Sequence, residues 1–168
     1  MIDKLVGIKE VAIYGLAYKI YTNMVQPAYY FVNSIFPLLS GKSENKKKLF
    51  KWSILIVLLI LCCLIPLAYL LAPLMIKILA GIGFELSIKV LRILLFALFF
   101  AYLSHLFGFT IIAKGGQKKI LIIGLITLFF NFTGNLLMIP KLGIIGAAWV
   151  TGFSEALACG LMFLVLKR

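Results

Sequence analysis

The chain has 168 residues, of which 64% are hydrophobic and 13% charged, with a formal net charge of +12 and a mean hydropathy of +1.14. Such a composition excludes an ordinary water-soluble domain. The 17 Lys and Arg fall mostly in short gaps between apolar runs rather than along one polar face, which argues for membrane topology and against nucleic acid as a partner.

Five spans are predicted, over residues 8–39, 52–76, 90–113, 120–139 and 144–166. Each is long enough, as a helix, to cross a hydrocarbon layer of roughly 30 Å. Helices are expected because backbone groups facing lipid must be satisfied within the segment, and the alternation a barrel requires is absent. The gaps "SGKSENKKKLFK", "KILAGIGFELSIK", "KGGQKK" and "PKLG" are short and rich in Gly, Pro or charge, so no linker separates two domains. The predicted fold is an all-α integral membrane protein: five transmembrane helices in lipid, forming one domain over residues 1–168.

In the first span Lys19, Asn23, Gln26, Tyr30, Asn33 and Pro37 follow one another at steps of 4, 3, 4, 3 and 4, which places them on one helical stripe. Polar side chains are costly in hydrocarbon, so this column faces a bundle interior or a watery cavity. Two uses remain open: lining a cavity, or bonding to neighbouring helices. Lys19 either snorkels to the interface or attracts an anionic headgroup such as a phosphate.

The second span, dense in Leu and Ile with Pro66 and Pro73, reads as a lipid-facing wall with room for a kink. Its adjacent Cys62 and Cys63 are apolar filler, since no CxxC or Cys/His spacing occurs. In the third, His105 shares a face with Ala101, Ser104 and Gly108 and is read as packed and neutral or as a proton relay, while Arg92 snorkels. The fourth carries Gly124, Thr127, Asn131 and Asn135 on one face, to line a cavity or to join helices.

In the fifth span Ala148, Thr151, Gly152, Glu155, Ala156, Cys159 and Gly160 share one face. Small residues at fourfold spacing permit close helix contact in lipid, so Glu155 points toward protein. A carboxylate there is either a buried structural group or a site that takes up a proton or cation during transport.

Lys42, Lys46, Lys47, Lys48, Lys51, Lys114, Lys118, Lys119, Lys167 and Arg168 fall on one side of this arrangement, against Lys4, Lys9, Lys77, Lys89 and Lys141 on the other, ten to five. The richer side is expected to be cytoplasmic, with the N-terminus outside and the C-terminus inside. An exported start without a signal sequence is unusual, and the expectation is that Met1 lies within a longer reading frame. No P-loop, HExxH or paired-carboxylate motif occurs, and one histidine cannot supply a conventional metal site. No cofactor, metal or catalytic residue is assigned, and the chain is not expected to be an enzyme.

Two stretches, "VAIYGLAYKIYTNMVQPAYYFVNSIFPLLS" and "NFTGNLLMIPKLGIIGAAWVTGFSE", resemble the C-terminal portion of the polysaccharide biosynthesis and lipid-linked oligosaccharide flippase family, within the multidrug/oligosaccharidyl-lipid/polysaccharide exporter superfamily. The likeness rests on Pro-Leu-x-Ser closing the first stretch and on Asn, Ile-Pro, Gly-x-x-Gly-Ala-Ala and Ser-Glu in the second. It implies part of the C-terminal six-helix bundle of a twelve-to-fourteen-helix secondary transporter in the bacterial cytoplasmic (inner) membrane. The implied activity is flipping of a polyprenyl-linked oligosaccharide, which requires a partner N-terminal bundle not present in these residues. Lys19, Asn23, Gln26, Tyr30, Asn33, Asn131 and Asn135 would then bind the polyprenyl-linked glycan, and Glu155 would couple movement to an ion. Three other readings stay open: a drug/cation exporter of the same superfamily, a piece of a membrane-embedded glycan polymerase or ligase, and an inactive truncated fragment.

Overall fold

The structure, a computed structural model, describes residues 7–41 and 45–167. Lys4, Lys42 and Arg168, assigned above to the two sides of the membrane, lie outside them. The described residues form four helices: α1 (Ile8–Ser40), α2 (Lys46–Ala80), α3 (Glu85–Ala113) and α4 (Gln117–Lys167). Three of these, α2, α3 and α4, are long and apolar enough to cross a membrane; α1, which carries the polar stripe, is not among them.

Four helices stand where five spans were expected. The fourth and fifth predicted spans form one element, interrupted only at Gly143, whose φ of 57° and ψ of −141° lie outside helical geometry. The two arms nonetheless fold back on each other. A 3.0 Å hydrogen bond joins Asn131 to Ser154, residues that a straight helix would hold about 34 Å apart. Gly143 supplies the reversal because its backbone conformation disfavours a side chain, and Gly146 lets the arms close: a Cβ there would stand 2.6 Å from the Met138 carbonyl oxygen. Pro140, one turn earlier, lacks the N–H that would continue the ladder.

The other predicted boundaries shift outward. α2 begins at Lys46 rather than Trp52, because a helix continues past the hydrocarbon layer and lysines near its end cost little there. The second gap shrinks to residues 81–84, with Gly81 (φ 73°) and Gly83 (φ 101°) in the left-handed region that favours glycine. "KGGQKK" forms the expected turn. Gly116 N–H donates to the Ile111 carbonyl and Gly115 N–H to that of Ile112, with Gly115 at φ 78°, the paired bonds that close a helix C-terminus.

α3 is the hub, packing against all three other helices, and its residues Val90, Leu91, Leu94, Ala97 and Leu98 are fully buried. The apolar surface expected of the second span is visible in α2. Only Ser53, Val57, Leu61, Ala68, Ala72 and Ile76 are buried, a stripe one or two helical turns apart, while Leu59, Leu67, Leu70 and Leu74 are exposed. The first arm of α4 is exposed in the same way, from Leu121 to Phe132. Two α3 hydroxyls fasten α1 through its backbone: Ser87 Oγ donates to the Ile13 carbonyl and Tyr102 Oη to that of Met24, both at 2.8 Å.

The small-residue face of the second α4 arm packs on protein as far as Cys159, while Gly160 at its end is exposed. Ala148, Gly152 and Cys159 are buried, and Phe96 presses on Gly152 so closely that a Cβ there would lie 2.9 Å from its ring. Trp149 and Phe153, beside that face, complete an aromatic group with Phe96.

Candidate functional site

α1 and the second arm of α4 both lean on α3 but scarcely touch each other, and the space between them is the candidate site. A cleft of about 580 Å³ is lined by Tyr14 and Tyr18 from α1, Asn131 and Asn135 from the first α4 arm, and Thr151, Ser154 and Glu155 from the second. A further cleft of about 410 Å³ lies beside α3, lined by Tyr18, Tyr21 and Thr22, by Ser104, His105 and Gly108, and again by Glu155. Tyr18 and Glu155 line both clefts and so stand where the two meet.

The polar groups of the larger cleft form an ordered relay of donors. Asn135 Nδ2 donates to both the Asn131 carbonyl and Asn131 Oδ1 at 2.9 Å, Asn131 Nδ2 donates to Ser154 Oγ, and Ser154 Oγ donates to the Val150 carbonyl at 2.8 Å. Thr151 Oγ1 donates to the Ala147 carbonyl at 3.0 Å, which spends its one proton, so Tyr14 Oη is the donor in the 3.2 Å bond that links Tyr14 to Thr151. Asn131 therefore joins the two arms and lines the cavity at once, whereas Asn135 lines the cavity and bonds only within its own arm.

Glu155 is half-buried, and among the described residues no donor or cation engages its carboxylate. Around it stand tyrosines: Tyr14 stacks on Tyr18, and Tyr18 leans on Tyr21, with centroids 5.7 Å apart in each pair. Ser104 Oγ, on the α3 wall, is buried beside the Cys159 thiol. His105 packs edge-on to Tyr29 at 6.3 Å and faces the smaller cleft. No group of three His, Cys, Asp or Glu gathers among the described residues.

The structure brings Asn131, Asn135 and Glu155 together and sets the α1 stripe apart from them. Lys19, Asn23, Gln26 and Tyr30 are exposed and Asn33 half-exposed, and none lines either cleft. The stripe lies one residue, about 100° of rotation, from the face bearing Tyr18, Thr22 and Val25. Within it Tyr30 Oη donates to Gln26 Oε1 at 3.1 Å. Pro27 and Pro37 lie inside α1, and each leaves the carbonyl four residues earlier without its helical donor. Those carbonyls belong to Asn23 and Asn33, both on the stripe.

The tyrosines at 14, 18 and 21, with Thr22, Ser104 and Ser154, are site residues that the stripe pattern does not reveal. Their 4- and 3-residue spacing is itself helical, but aromatic residues at helical spacing read equally as core.

No protein-family model, curated protein or solved structure matches the chain.

Proposed function

We propose that the chain is one helical lobe of a membrane translocator for an amphiphile with a polar head, the reading nearest to the flippase resemblance of its sequence, with five crossings if each arm of α4 spans the membrane. The observation that carries it is the exposed column Lys19–Asn23–Gln26–Tyr30–Asn33 on a protein whose other exposed faces are Leu, Ile and Phe. Side-chain amides and the Lys19 ammonium cannot be left against lipid tails, where each unsatisfied polar group costs several kcal/mol. A water-filled path between this lobe and a second helical bundle must cover them, and a path bounded by two bundles is what alternating access requires. Lys19 then meets the phosphates of a polyprenyl-linked glycan, and Glu155, facing both clefts, is the coupling group.

The test is export of lipid-linked glycan in cells carrying the intact reading frame. Lys19→Ala is expected to cause the glycan to accumulate on the cytoplasmic leaflet while membrane insertion is unchanged; normal export would remove Lys19 from the path. One observation favours the drug/cation exporter as a second reading. A carboxylate beside Tyr14, Tyr18 and Tyr21 suits an organic cation, which aromatic faces attract. Binding of a fluorescent quaternary ammonium that is lost in Tyr18→Ala, together with normal glycan export, would decide for that reading.

A further inference from the structure

At the end of the bundle away from the helix-reversing Gly143, a cavity of about 280 Å³ has three lysines in its wall: Lys46 and Lys47 from the first turn of α2, and Lys114 just after α3. Its remaining lining is apolar, from Leu39 of α1, Phe50 of α2 and Leu166 of α4, apart from Thr110, whose hydroxyl donates to the Leu106 carbonyl at 2.7 Å. All four helices thus contribute to one enclosure.

Three ammonium groups repel one another, and no described carboxylate offsets them. Glu10 and Glu85 lie in the first turns of α1 and α3, at the opposite end, and Glu155 sits about 16 Å along α4 from Leu166. Chain topology alone would scatter lysines around a bundle end to satisfy charge bias. It gives no reason for three of them to share a cavity with an apolar floor.

We propose that this cavity binds a phosphate-bearing anion, supplied by the headgroup of an acidic phospholipid whose acyl chains continue over the adjoining apolar helices. Lysine suits phosphate as a point charge that needs no fixed fork geometry. Basic pockets between membrane helices take such headgroups. The exposed Trp52, one turn beyond Lys48, puts an aromatic anchor of the interfacial kind at this level of α2. Bound there, the lipid ties the ends of α2 and α3 together and neutralises the lysines.

The full chain, in nanodiscs of phosphatidylcholine containing cardiolipin, would be released into native mass spectrometry and the retained cardiolipin counted. Changing Lys46, Lys47 and Lys114 together to Gln is expected to lower retention about a hundredfold. The same charge change at Lys48, Lys51 and Lys118, which lie outside the cavity, is expected to leave it unaltered. Arg at the three cavity positions is expected to restore binding, and Leu166→Trp, which fills the cavity and keeps every lysine, to abolish it. Equal loss in both Gln variants, or full retention in the cavity variant or in Leu166→Trp, would overturn the site. Displacement of cardiolipin by millimolar inorganic pyrophosphate would keep the phosphate site but overturn the lipid as its source.

Discussion

Tyr14 Oη donates a 3.2 Å hydrogen bond to Thr151 Oγ1, tying α1 to the second arm of α4 at the edge of the larger cleft. The two helices have little other contact, and each is held mainly by α3. Hydrogen bonds between membrane helices contribute about 0.6 kcal/mol on average. A double-mutant cycle of Tyr14→Phe and Thr151→Val is expected to give a coupling energy of that size, with global stability little changed. A coupling near zero would mean that α3 alone holds the cleft.

Glycines in α4 are expected to differ sharply in their tolerance of alanine. Gly146→Ala drives a Cβ against the Met138 carbonyl oxygen and Gly143→Ala takes on a backbone conformation that disfavours a side chain, so each is expected to destabilise by about 1–3 kcal/mol. Gly124→Ala meets nothing within 4 Å and is expected to be neutral or to stabilise by up to about 1 kcal/mol. Unfolding in mixed micelles measures all three. Equal effects would mean that the arms do not meet as described.

Glu155→Gln removes the charge and keeps the shape. Since no described residue donates to or pairs with this carboxylate, the substitution is expected to cost little stability, less than about 1 kcal/mol. Transport, on the proposed reading, is expected to lose its dependence on a proton or cation gradient. Large destabilisation with the gradient dependence retained would return Glu155 to a structural role.

The α1 column gives a test that needs no substrate. In the intact protein in its membrane, with Cys62, Cys63 and Cys159 replaced by Ala, single cysteines at Asn23 and Asn33 are expected to react with a water-soluble maleimide at least tenfold faster than cysteines at Leu59 or Leu70 on the lipid-facing side of α2. Equal, slow labelling at all four would place the column in lipid or in a sealed contact, and the transport proposal would fall.

Much of this molecule is legible residue by residue. Apolar runs, the small-residue face from Ala148 to Gly160 and the spacing of Lys19 to Asn33 are local patterns, and a helix obeys local patterns because its hydrogen bonds close within the segment. Helix ends were less legible. Lys46 to Lys51 read as a loop by charge, yet a membrane helix extends into the polar layer at no penalty. The "PKLG" turn read as a gap, whereas helical geometry resumes on both sides of Gly143.

What the sequence could not supply was which faces meet. Asn131, Asn135 and Glu155 became one site because the arms of α4 fold together, while the column from Lys19 to Asn33 was turned away from it by a single residue's rotation of α1. The role of Tyr14, Tyr18 and Tyr21 likewise depends on α1 and α4 diverging from their common support on α3. A cleft is a gap between elements distant along the chain, and periodicity within one helix carries no information about where its neighbour stops touching it.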